Sequence, residues 1–286
     1  MRILLTGAGG EIGTPLLDAL HEKGHELVAL TRRERSSPTI RWVRGDVTDA
    51  ASLARALDEC GSPEVVVHMA AVTHAKKARD YDAVNVDGTA NLLRALAQRD
   101  DPPKHFVHLS SRAVGAHGGA YCASKLRSEE LVRASSLPFT ILRPAEVYGS
   151  GGDDAITSLE RTLRDGRFVP VIGDGRYTVA PVHADDVAAA IGAAVELPGA
   201  GRTYVLAGPE SLTFLGLIAH LETRLGVPRR RRVFVPVWCA RMMIRVGSAL
   251  GVGGYVPDQV DRLLLDKSVD ISAAQHDLGF DPRPLG

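Results

Sequence analysis

A short apolar run followed at once by closely spaced glycines constrains the fold of this chain more than any other feature. Ile3-Leu4-Leu5 leads into Thr6-Gly7-Ala8-Gly9-Gly10-Glu11-Ile12-Gly13, and an amphipathic helix is predicted over Ile12–His21. Glycines permit a tight turn and close backbone approach, and a helix start offers unpaired N–H groups and a positive dipole end. A buried strand, a glycine turn and a helix in this order predict a site for a dinucleotide pyrophosphate.

Strand-like and helix-like segments alternate along the first half of the chain. Apolar runs predict buried strands, and the segments between them have helical periodicity. The predicted strands are Ile3–Thr6, Leu27–Leu30, Val65–His68, Phe106–Leu109 and Phe139–Leu142, and the predicted helices are Ile12–His21, Leu53–Cys60, Tyr81–Ala97 and Tyr121–Ser135. We therefore expect an α/β fold with a Rossmann-type, doubly wound parallel sheet, whose ligands bind beyond the carboxyl ends of the strands.

The pattern becomes less regular after Gly149, where Ser150-Gly151-Gly152-Asp153-Asp154 has the composition of a loop. The later segments that we assign to the first unit are a strand at Tyr177–His183, a helix at Asp185–Glu196 and a strand at Thr203–Leu206. We expect an NAD(P)-binding Rossmann domain of residues 1–149 with about 176–206. Residues 150–175 and 207–286 would form a smaller α/β substrate-binding cap.

The composition argues against several classes of protein. Lys and Arg number 34, as do Asp and Glu, so the net charge gives no reason to expect nucleic acid or an anionic membrane as a partner. Three widely separated cysteines match no metal-ligand spacing, which predicts no metal site and suits a reducing compartment. The apolar stretch Val237–Val252 contains Arg241 and Arg245 and is too short and too charged to cross a bilayer. Because the glycine turn begins so early, no signal peptide is expected, and we predict a cytoplasmic protein.

A tyrosine and a lysine four residues apart add chemistry to the predicted cofactor site. Tyr121 and Lys125 would share one face of a helix, so both can point into one cleft. A tyrosine with a pKa of about 10 is a poor base at neutral pH, and a nearby cation favours its phenolate. Ser111 follows a predicted strand and can hold a substrate oxygen near the phenol. Alone, the pair would be no more than part of a helix surface. Beside a dinucleotide site it predicts acid–base catalysis.

Several further motifs occur in a fixed order. They are TGAGGEIG at 6–13, Gly45-Asp46-Val47, His68-Met69-Ala70-Ala71, Val84-Asn85-Val86-Asp87-Gly88-Thr89, Ser110-Ser111, Tyr121 with Lys125, Arg143-Pro144 with Val147-Tyr148-Gly149, and Val182-His183-Ala184-Asp185-Asp186-Val187. In this order they resemble the extended short-chain dehydrogenase/reductases, the NAD(P)-dependent epimerase/dehydratase family. The resemblance covers residues from Met1 to about Val187.

The resemblance implies a role for each of these positions. The implied cofactor-binding residues are Gly7, Gly10, Glu11, Ile12 and Gly13 around the pyrophosphate, Asp46 and Val47 beside the adenine, Ala70, Ala71 and Pro144 along the cofactor, and Lys125 on the nicotinamide ribose. Tyr121 would be the acid/base, with Ser111 as its helper. Asp46 could instead cap the helix that begins near Asp49. For Asn85 we expect a structural role that ties down the neighbouring strand.

The choice of cofactor depends on the end of the second strand. NAD-dependent relatives place an acidic residue there for the ribose 2′-hydroxyl. This chain has Leu30-Thr31-Arg32-Arg33, and the guanidinium groups of Arg32 and Arg33 suit the 2′-phosphate of NADP. We expect NADP to be preferred, with NAD possible because Glu34 follows.

The substrate is less constrained by the sequence. Nucleotide-sugar members of the family carry an asparagine where this chain has Glu146, and an arginine where it has Val179, with Arg176 the nearest cation. We therefore expect an oxidoreductase that transfers hydride reversibly at a secondary alcohol or ketone. The alternatives are a nucleotide-sugar 4-epimerase that retains its keto intermediate, and a non-catalytic NADP-binding sensor or assembly factor.

The predicted cap and the surface leave further alternatives open. Arg229–Arg232 could bind a diphosphate or could form a solvated strand edge. Trp238, Met242 and Met243 are expected to pack within the core of the cap, with a hydrophobic substrate pocket as the alternative. A small-molecule substrate is the expected partner. A homodimer through the helices Tyr81–Ala97 and Tyr121–Ser135 is as compatible with the sequence as a monomer.

Overall fold

The computed structural model describes residues 1–149, 151, 154–249, 258–265 and 269–286. The strands in this part of the chain are β1 (Arg2–Thr6), β2 (Glu26–Thr31), β3 (Arg41–Arg44), β4 (Val65–His68), β5 (His105–Leu109), β6 (Phe139–Pro144), β7 (Val147–Tyr148), β8 (Phe168–Ile172), β9 (Thr178–Val179), β10 (Val182–His183), β11 (Arg202–Leu206), β12 (Leu212–Thr213) and β13 (Arg231–Val235). The helices there are α1 (Gly13–Glu22), α2 (Ala50–Cys60), α3 (Ala78–Tyr81), α4 (Gly88–Ala97), α5 (Gly119–Ala134), α6 (Ala155–Asp165), α7 (Ala184–Glu196), α8 (Phe214–Leu225), α9 (Val237–Ala249), α10 (Gln259–Leu264) and α11 (Ser272–Leu278).

A parallel sheet forms the centre of the described residues. Its seven strands there lie in the order β11-β6-β5-β4-β1-β2-β3. The order reverses beside β1, which pairs in parallel with both β2 and β4. All residues of β4 and the last four of β1 are buried, as expected for strands covered on both faces. The predicted α/β fold with a Rossmann-type, doubly wound parallel sheet is confirmed.

Alternate side chains of the central strands enter two different apolar cores. Ile3 faces a core with Leu16 of α1 and Ile191 of α7. Leu4 faces the opposite side, where it lies in a core with α2 and α4. Burial of each such aliphatic side chain contributes roughly 1.5–3 kcal/mol. The carboxyl edge of the sheet is thus held rigidly by helices on both sides.

Two predicted elements differ from those observed. The predicted helix Tyr81–Ala97 begins earlier, at Ala78, and is interrupted by a π-helical turn over Asp82–Asp87. The predicted strand Tyr177–His183 is instead two short strands with different partners, because β9 pairs with β12 and β10 pairs with β7. Pro181 lies between them and has no N–H to continue a ladder.

A second group of elements surrounds its own small core. Leu163 of α6, Val171 of β8 and Leu221 of α8 are buried together there. Asp154 begins α6 by accepting hydrogen bonds from the N–H groups of Ile156 and Thr157. Residues 150, 152 and 153 of the predicted loop lie outside the described residues, and the division into two domains stays a prediction.

The outer face of α9 contradicts one prediction. Trp238, Met242 and Met243 were expected to pack in the core, but they are 65%, 57% and 64% exposed. The opposite face of α9 is buried instead, where Ala240 and Ile244 pack with other apolar residues. Residues 250–252, the end of the predicted apolar stretch, lie outside the described residues. None of the described helices is long and apolar enough to cross a membrane.

Candidate active site

The glycine turn joins two neighbouring strand ends. Gly7 has a φ of +75°, and a Cβ on it would lie 2.5 Å from the backbone nitrogen of Ala70, which follows β4. A Cβ on Gly13 would overlap the carbonyl oxygen of Ala8. At Gly10 the nearest atom to such a Cβ is the carbonyl oxygen of Gly7, at 3.3 Å. Gly7 and Gly13 are therefore required because other backbone atoms of the protein leave no room for a Cβ at these positions.

The N-terminus of α1 fits an anionic ligand. Ile12 occupies the N-cap position, and no side chain caps the helix there. The first N–H groups of α1 and its dipole are thus directed at the glycine turn, which suits a pyrophosphate. Glu11 is exposed beside this turn, and Ile12 is half-buried against the apolar core.

Two cavities of about 440 Å³ each lie at the side of β2 and β3, and the first of them reaches Ala8 of the glycine turn. Arg35 lines both of them, with its Cζ 5.0 Å from the centroid of the Trp42 ring and its guanidinium beside Gly9. Arg33 and Arg44 line the second cavity. The sequence predicted Arg33 but missed Arg35 and Arg44. The predicted Arg32 is exposed like these three but lines neither cavity.

Asp46 and Val47 follow β3 at the same edge of the sheet. Asp46 accepts hydrogen bonds at Oδ1 from both the N–H and the hydroxyl of Thr48, each at 2.9 Å. The cap of α2 is Asp49, which accepts from Ala51 and Ser52, so the alternative that Asp46 caps this helix is wrong. Val47 is buried among apolar side chains of the core.

Asn85 connects the segment after β4 to α5. It lies in the π-helical turn, accepts from the N–H of Val72 at 2.8 Å and donates to the carbonyl of Val72 at 3.1 Å. It also donates to the hydroxyl of Ser124, which in turn donates to the carbonyl of Tyr121. The expected structural role of Asn85 is confirmed. Ala70 donates its N–H to the hydroxyl of Thr6, and Ala71 is exposed.

The structure brings Ser111, Tyr121 and Lys125 together at the carboxyl end of β5. Tyr121 and Lys125 lie on one face of α5, and both are buried. The Ser111 side chain lies close enough to the Tyr121 phenol to lower its pKa, and its hydroxyl accepts a hydrogen bond from the N–H of Ala113 at 3.1 Å. The Lys125 ammonium donates to the carbonyl of Leu109, the last residue of β5, at 2.9 Å. Ser111 and Tyr121 thus lie close together beside the strand end to which Lys125 is bonded.

Burial shifts the pKa values of both ionisable groups on α5. It raises the pKa of Tyr121, while the neighbouring Ser111 hydroxyl and the Arg262 guanidinium lower it. Burial lowers the pKa of Lys125 to about 8, against the opposite influence of the Glu129 carboxylate. Lys125 therefore remains mainly protonated at neutral pH, and the phenol of Tyr121 requires assistance to ionise.

Two residues contact Tyr121 and were missed by the sequence analysis: Asp258, which precedes α10, and Arg262, which lies within it. Asp258 accepts a hydrogen bond from the backbone N–H of Tyr121 at 2.7 Å and another from the Tyr81 hydroxyl at 3.3 Å. The Cζ atom of Arg262 lies 4.8 Å from the centroid of the Tyr121 ring, and Nη1 donates to the carbonyl of Thr73. No local pattern in the sequence connects these residues with α5.

A buried carboxylate holds β5, β6 and α5 together behind the site. Glu129 accepts from the Ser110 hydroxyl at 2.6 Å and forms two hydrogen bonds with Arg143, at 2.8 and 2.6 Å. The Arg143 and Ser110 bonds lower the pKa of Glu129 against the effect of its burial. This network fixes the ends of the strands that carry Ser111 and Pro144.

Glu146, at the position where the family carries asparagine, pairs with a buried arginine. Its oxygens accept from Nη2 of Arg112 at 3.0 and 2.8 Å, and one also accepts from the N–H of Ala180. Arg112 is fixed further because its N–H donates to the carbonyl of Pro144. Val179, at the position of the family's arginine, is buried among apolar residues.

The arrangement agrees with the comparisons to known proteins. The model of the NAD dependent epimerase/dehydratase family matches residues 3–207. The 2-alkyl-3-oxoalkanoate reductase of Stenotrophomonas maltophilia is 29% identical over 260 residues, covering 80% of this chain and 77% of the relative. The UDP-glucose 4-epimerase of Vibrio cholerae is 26% identical over 309 residues, covering 98% and 90%.

Among solved structures, the UDP-glucuronic acid 4-epimerase of Bacillus cereus in complex with UDP-glucuronic acid and NAD has a TM-score of 0.75. It is 22% identical, and the match covers 99% of this chain and 94% of that one, so the likeness concerns the fold. The family match, by contrast, extends over most of the chain and includes the glycine turn and α5. The protein is thus an enzyme that belongs to the NAD-dependent epimerase/dehydratase family.

Proposed function

We propose that this enzyme transfers hydride reversibly between NADP and the carbon of a secondary alcohol or ketone. The observation that supports this most is that the Ser111 side chain lies close to the Tyr121 phenol, with Lys125 on the same face of α5 and at the same edge of the sheet as the glycine turn. The bound dinucleotide would supply the hydride donor or acceptor. The remaining chemistry concerns the proton of the substrate oxygen.

Tyr121 is the residue that exchanges this proton with the substrate. During reduction its phenol donates a proton to the substrate oxygen, and during oxidation its phenolate accepts the hydroxyl proton. Ser111 would hold the same oxygen through its hydroxyl, since its side chain lies close to the phenol. Lys125 would hold the ribose of the bound cofactor. The Arg262 guanidinium stabilises negative charge on Tyr121 from above the ring.

A ketone is favoured over a nucleotide sugar as the substrate. The carboxylate of Glu146 would repel a diphosphate and already accepts hydrogen bonds from Arg112 and Ala180. Val179 offers no cation where the sugar-nucleotide members have one. The reductase relative from Stenotrophomonas maltophilia acts, by its name, on an oxoalkanoate, which also supports a ketone of this kind.

Epimerisation of a nucleotide sugar is the second candidate, and one observation favours it. Nε and Nη1 of Arg112 are buried and have no hydrogen-bond partner among the described residues. An anionic substrate group would satisfy them. The Vibrio cholerae relative is an epimerase that matches 98% of this chain. A non-catalytic sensor has no such support, because Tyr121 and Lys125 are both present and the relatives are enzymes.

The preference for NADP is supported by the cavity beside β2. This cavity is lined by Arg33, Arg35 and Arg44, and the part of β2 that lines it carries no carboxylate. A 2′-phosphate would therefore meet several guanidinium groups. Glu34 lines the same cavity and is the residue through which NAD could compete. The cytoplasmic location and the homodimer stay predictions.

A thermal-shift and turnover experiment tests this function. We expect NADP to raise the melting temperature of the purified protein, and NADPH to be consumed with 3-oxoalkanoates and with apolar ketones. A further rise in melting temperature with UDP-glucose, together with its conversion to the 4-epimer, would favour the epimerase instead. Absence of binding to either dinucleotide would exclude both activities.

A further inference from the structure

One segment of the chain has a strong local charge although the whole chain is neutral. Between Glu222 and Asp258 the sequence contains no acidic residue. The arginines of this interval are Arg224, Arg229, Arg230, Arg231, Arg232, Arg241 and Arg245. Three of them pair with carboxylates, Arg224 with Glu160, Arg232 with Glu222 and Arg241 with Asp261. Arg231 and Arg245 are exposed and give β13 and α9 a local positive charge that the neutral net charge does not reveal.

The same segment exposes large apolar side chains. Trp238, Met242 and Val246 are four residues apart, so they form one stripe along α9, and they are 65%, 57% and 51% exposed. Met243 lies beside them and is 64% exposed. Contiguous exposed side chains of this size are rare on soluble monomers and mark an interaction surface.

The arginines of α9 run beside this stripe. Arg241 and Arg245 are four residues apart and exposed, so they border the apolar stripe along the helix. Arg241 pairs with Asp261, so Arg245 supplies the positive charge of this border. Next to α9, Phe168 of β8 stands opposite Arg231 of β13 in the parallel pair. Both strands pack against the inner face of α9 through Ile172 and Val235. A helix with an apolar stripe and an arginine border is typical of segments that lie in a membrane interface.

We propose that this face, which comprises Phe168, Arg231, Trp238, Met242, Arg245 and Val246, docks on the surface of an anionic lipid bilayer. The phospholipid headgroups would meet the arginines, and the boundary of the acyl chains would accept the apolar stripe. The helix would lie in the plane of the interface, in agreement with the finding that no described helix can span a bilayer.

The alternative occupant, a second copy of the chain, fits this face less well. A symmetric pair would place the same surface of both protomers together, and the arginines of both copies with it. Like charges at such an interface are unfavourable. The docking surface requires no assumption about the reaction at Tyr121, so its test is independent of the proposed activity.

Sedimentation with vesicles of defined composition tests the proposal. The full chain is mixed with vesicles of phosphatidylcholine alone or with about 30% phosphatidylglycerol, at low and at high salt. We expect binding to the anionic vesicles that weakens as the salt concentration rises, and much weaker binding to the neutral ones.

Variants of exposed residues show which surface is responsible. We expect Arg231→Gln with Arg245→Gln to weaken binding about 25-fold, since each arginine near an anionic surface contributes about 5-fold. Trp238→Ser should weaken it at least about 10-fold. The matched control, Arg55→Gln with Arg94→Gln, removes two exposed arginines from α2 and α4 and should leave binding unchanged.

Tryptophan emission gives a second readout on a chain with an intact docking face. The protein has two tryptophans, so the variant Trp42→Phe retains Trp238 as its only tryptophan. Its emission should move to shorter wavelength on anionic vesicles and be quenched by brominated lipid. No binding to anionic vesicles by the folded chain would overturn the proposal. A concentration-dependent dimer that Trp238→Ser dissociates would assign this face to a second copy instead.

Discussion

Arg262 lies over the ring of Tyr121, with its Cζ atom 4.8 Å from the ring centroid. Lys125 lies one helical turn away on α5 but directs its ammonium to the carbonyl of Leu109. The cation that lowers the pKa of Tyr121 is thus the guanidinium above the ring, while burial and the Asp258 carboxylate raise that pKa.

Arg262→Gln should move the pH profile of alcohol oxidation to higher pH. Oxidation requires the Tyr121 phenolate, so its rate rises with pH through the pKa of this phenol. Loss of the cation raises that pKa, by roughly 0.5–1.5 units if the contact contributes about 0.7–2 kcal/mol. Arg262→Lys should restore part of the shift. An unchanged profile of kcat against pH would show that Arg262 serves only to hold Thr73.

Tyr121→Phe should reduce kcat by at least about 100-fold, because the variant has no group that can exchange a proton with the substrate oxygen. The dissociation constant for NADP, measured by fluorescence titration, should stay within a few-fold. Tyr81→Phe is the matched control, since it removes a buried phenol that contacts Asp258 and the N–H of Ala75. Retained turnover in Tyr121→Phe would contradict the proposed chemistry.

Arg33→Ala combined with Arg35→Ala should weaken NADP binding about 10- to 100-fold and leave NAD binding nearly unchanged. Both side chains line the cavity beside β2, and charge-assisted hydrogen bonds to a phosphate contribute about 1.5–3 kcal/mol. The control is Arg32→Ala, an exposed arginine next to them. Calorimetric titration with both dinucleotides makes the comparison, and an equal loss for both would show that these arginines do not bind the 2′-phosphate.

Glu129→Gln should lower the free energy of unfolding by about 3–5 kcal/mol, because it leaves Arg143 without its buried carboxylate partner. Urea denaturation followed by circular dichroism measures this change. Arg133 also pairs with Glu129, but its side chain is 41% exposed, so Arg133→Gln should cost less than about 1 kcal/mol. Similar losses of unfolding free energy in the two variants would mean that the buried Glu129–Arg143 pair stabilises the fold no more than the exposed Arg133 does.

His68 should make the fold sensitive to acid. Burial, with Lys125 nearby, lowers its pKa to about 3, from about 6.5 in an unfolded chain. Between these values the unfolded state binds a proton that the native state does not, so stability is lost as the pH falls from 6.5 toward 3. The loss is about 1.4 kcal/mol for each pH unit.

His68→Gln should reduce the slope of unfolding free energy against pH by that amount over pH 6 to 4.5. The control is Thr89→Val, which removes a hydrogen-bond partner of His68 but keeps the imidazole buried. Thr89→Val should lower stability at every pH without changing the slope. An unaltered slope in His68→Gln would assign the acid sensitivity to other groups, among them His105, whose pKa burial lowers to about 4.

The elements that the sequence predicted are those in which a local pattern determines the structure. Apolar runs such as Ile3–Thr6 are buried because the sheet covers both of their faces, and the glycines at the turn are required by close backbone approach. The π-helical turn at Asp82–Asp87 could not be predicted, since one extra residue in a turn barely changes the hydrophobic period.

Contacts between distant segments were also beyond prediction. Trp238 was expected to be buried because of its size and apolarity, yet exposure depends on which elements pack against α9. Asp258 and Arg262 have no sequence signature near Tyr121, and only the packing of α10 on α5 brings them there. The catalytic role of Ser111, Tyr121 and Lys125 therefore stays a prediction, and the sequence did not predict the charged residues that surround Tyr121.

The hydrogen bond from the Tyr121 N–H to Asp258 spans 137 residues of the chain. During synthesis the helix that carries Tyr121 leaves the ribosome long before Asp258 does. A nascent chain can fold its glycine turn and bind a dinucleotide while the acceptor for this bond and the guanidinium over the ring are still to be made. The dinucleotide site should therefore be complete once α7, which packs on α1, has been made, whereas the charged surroundings of Tyr121 require almost the whole chain.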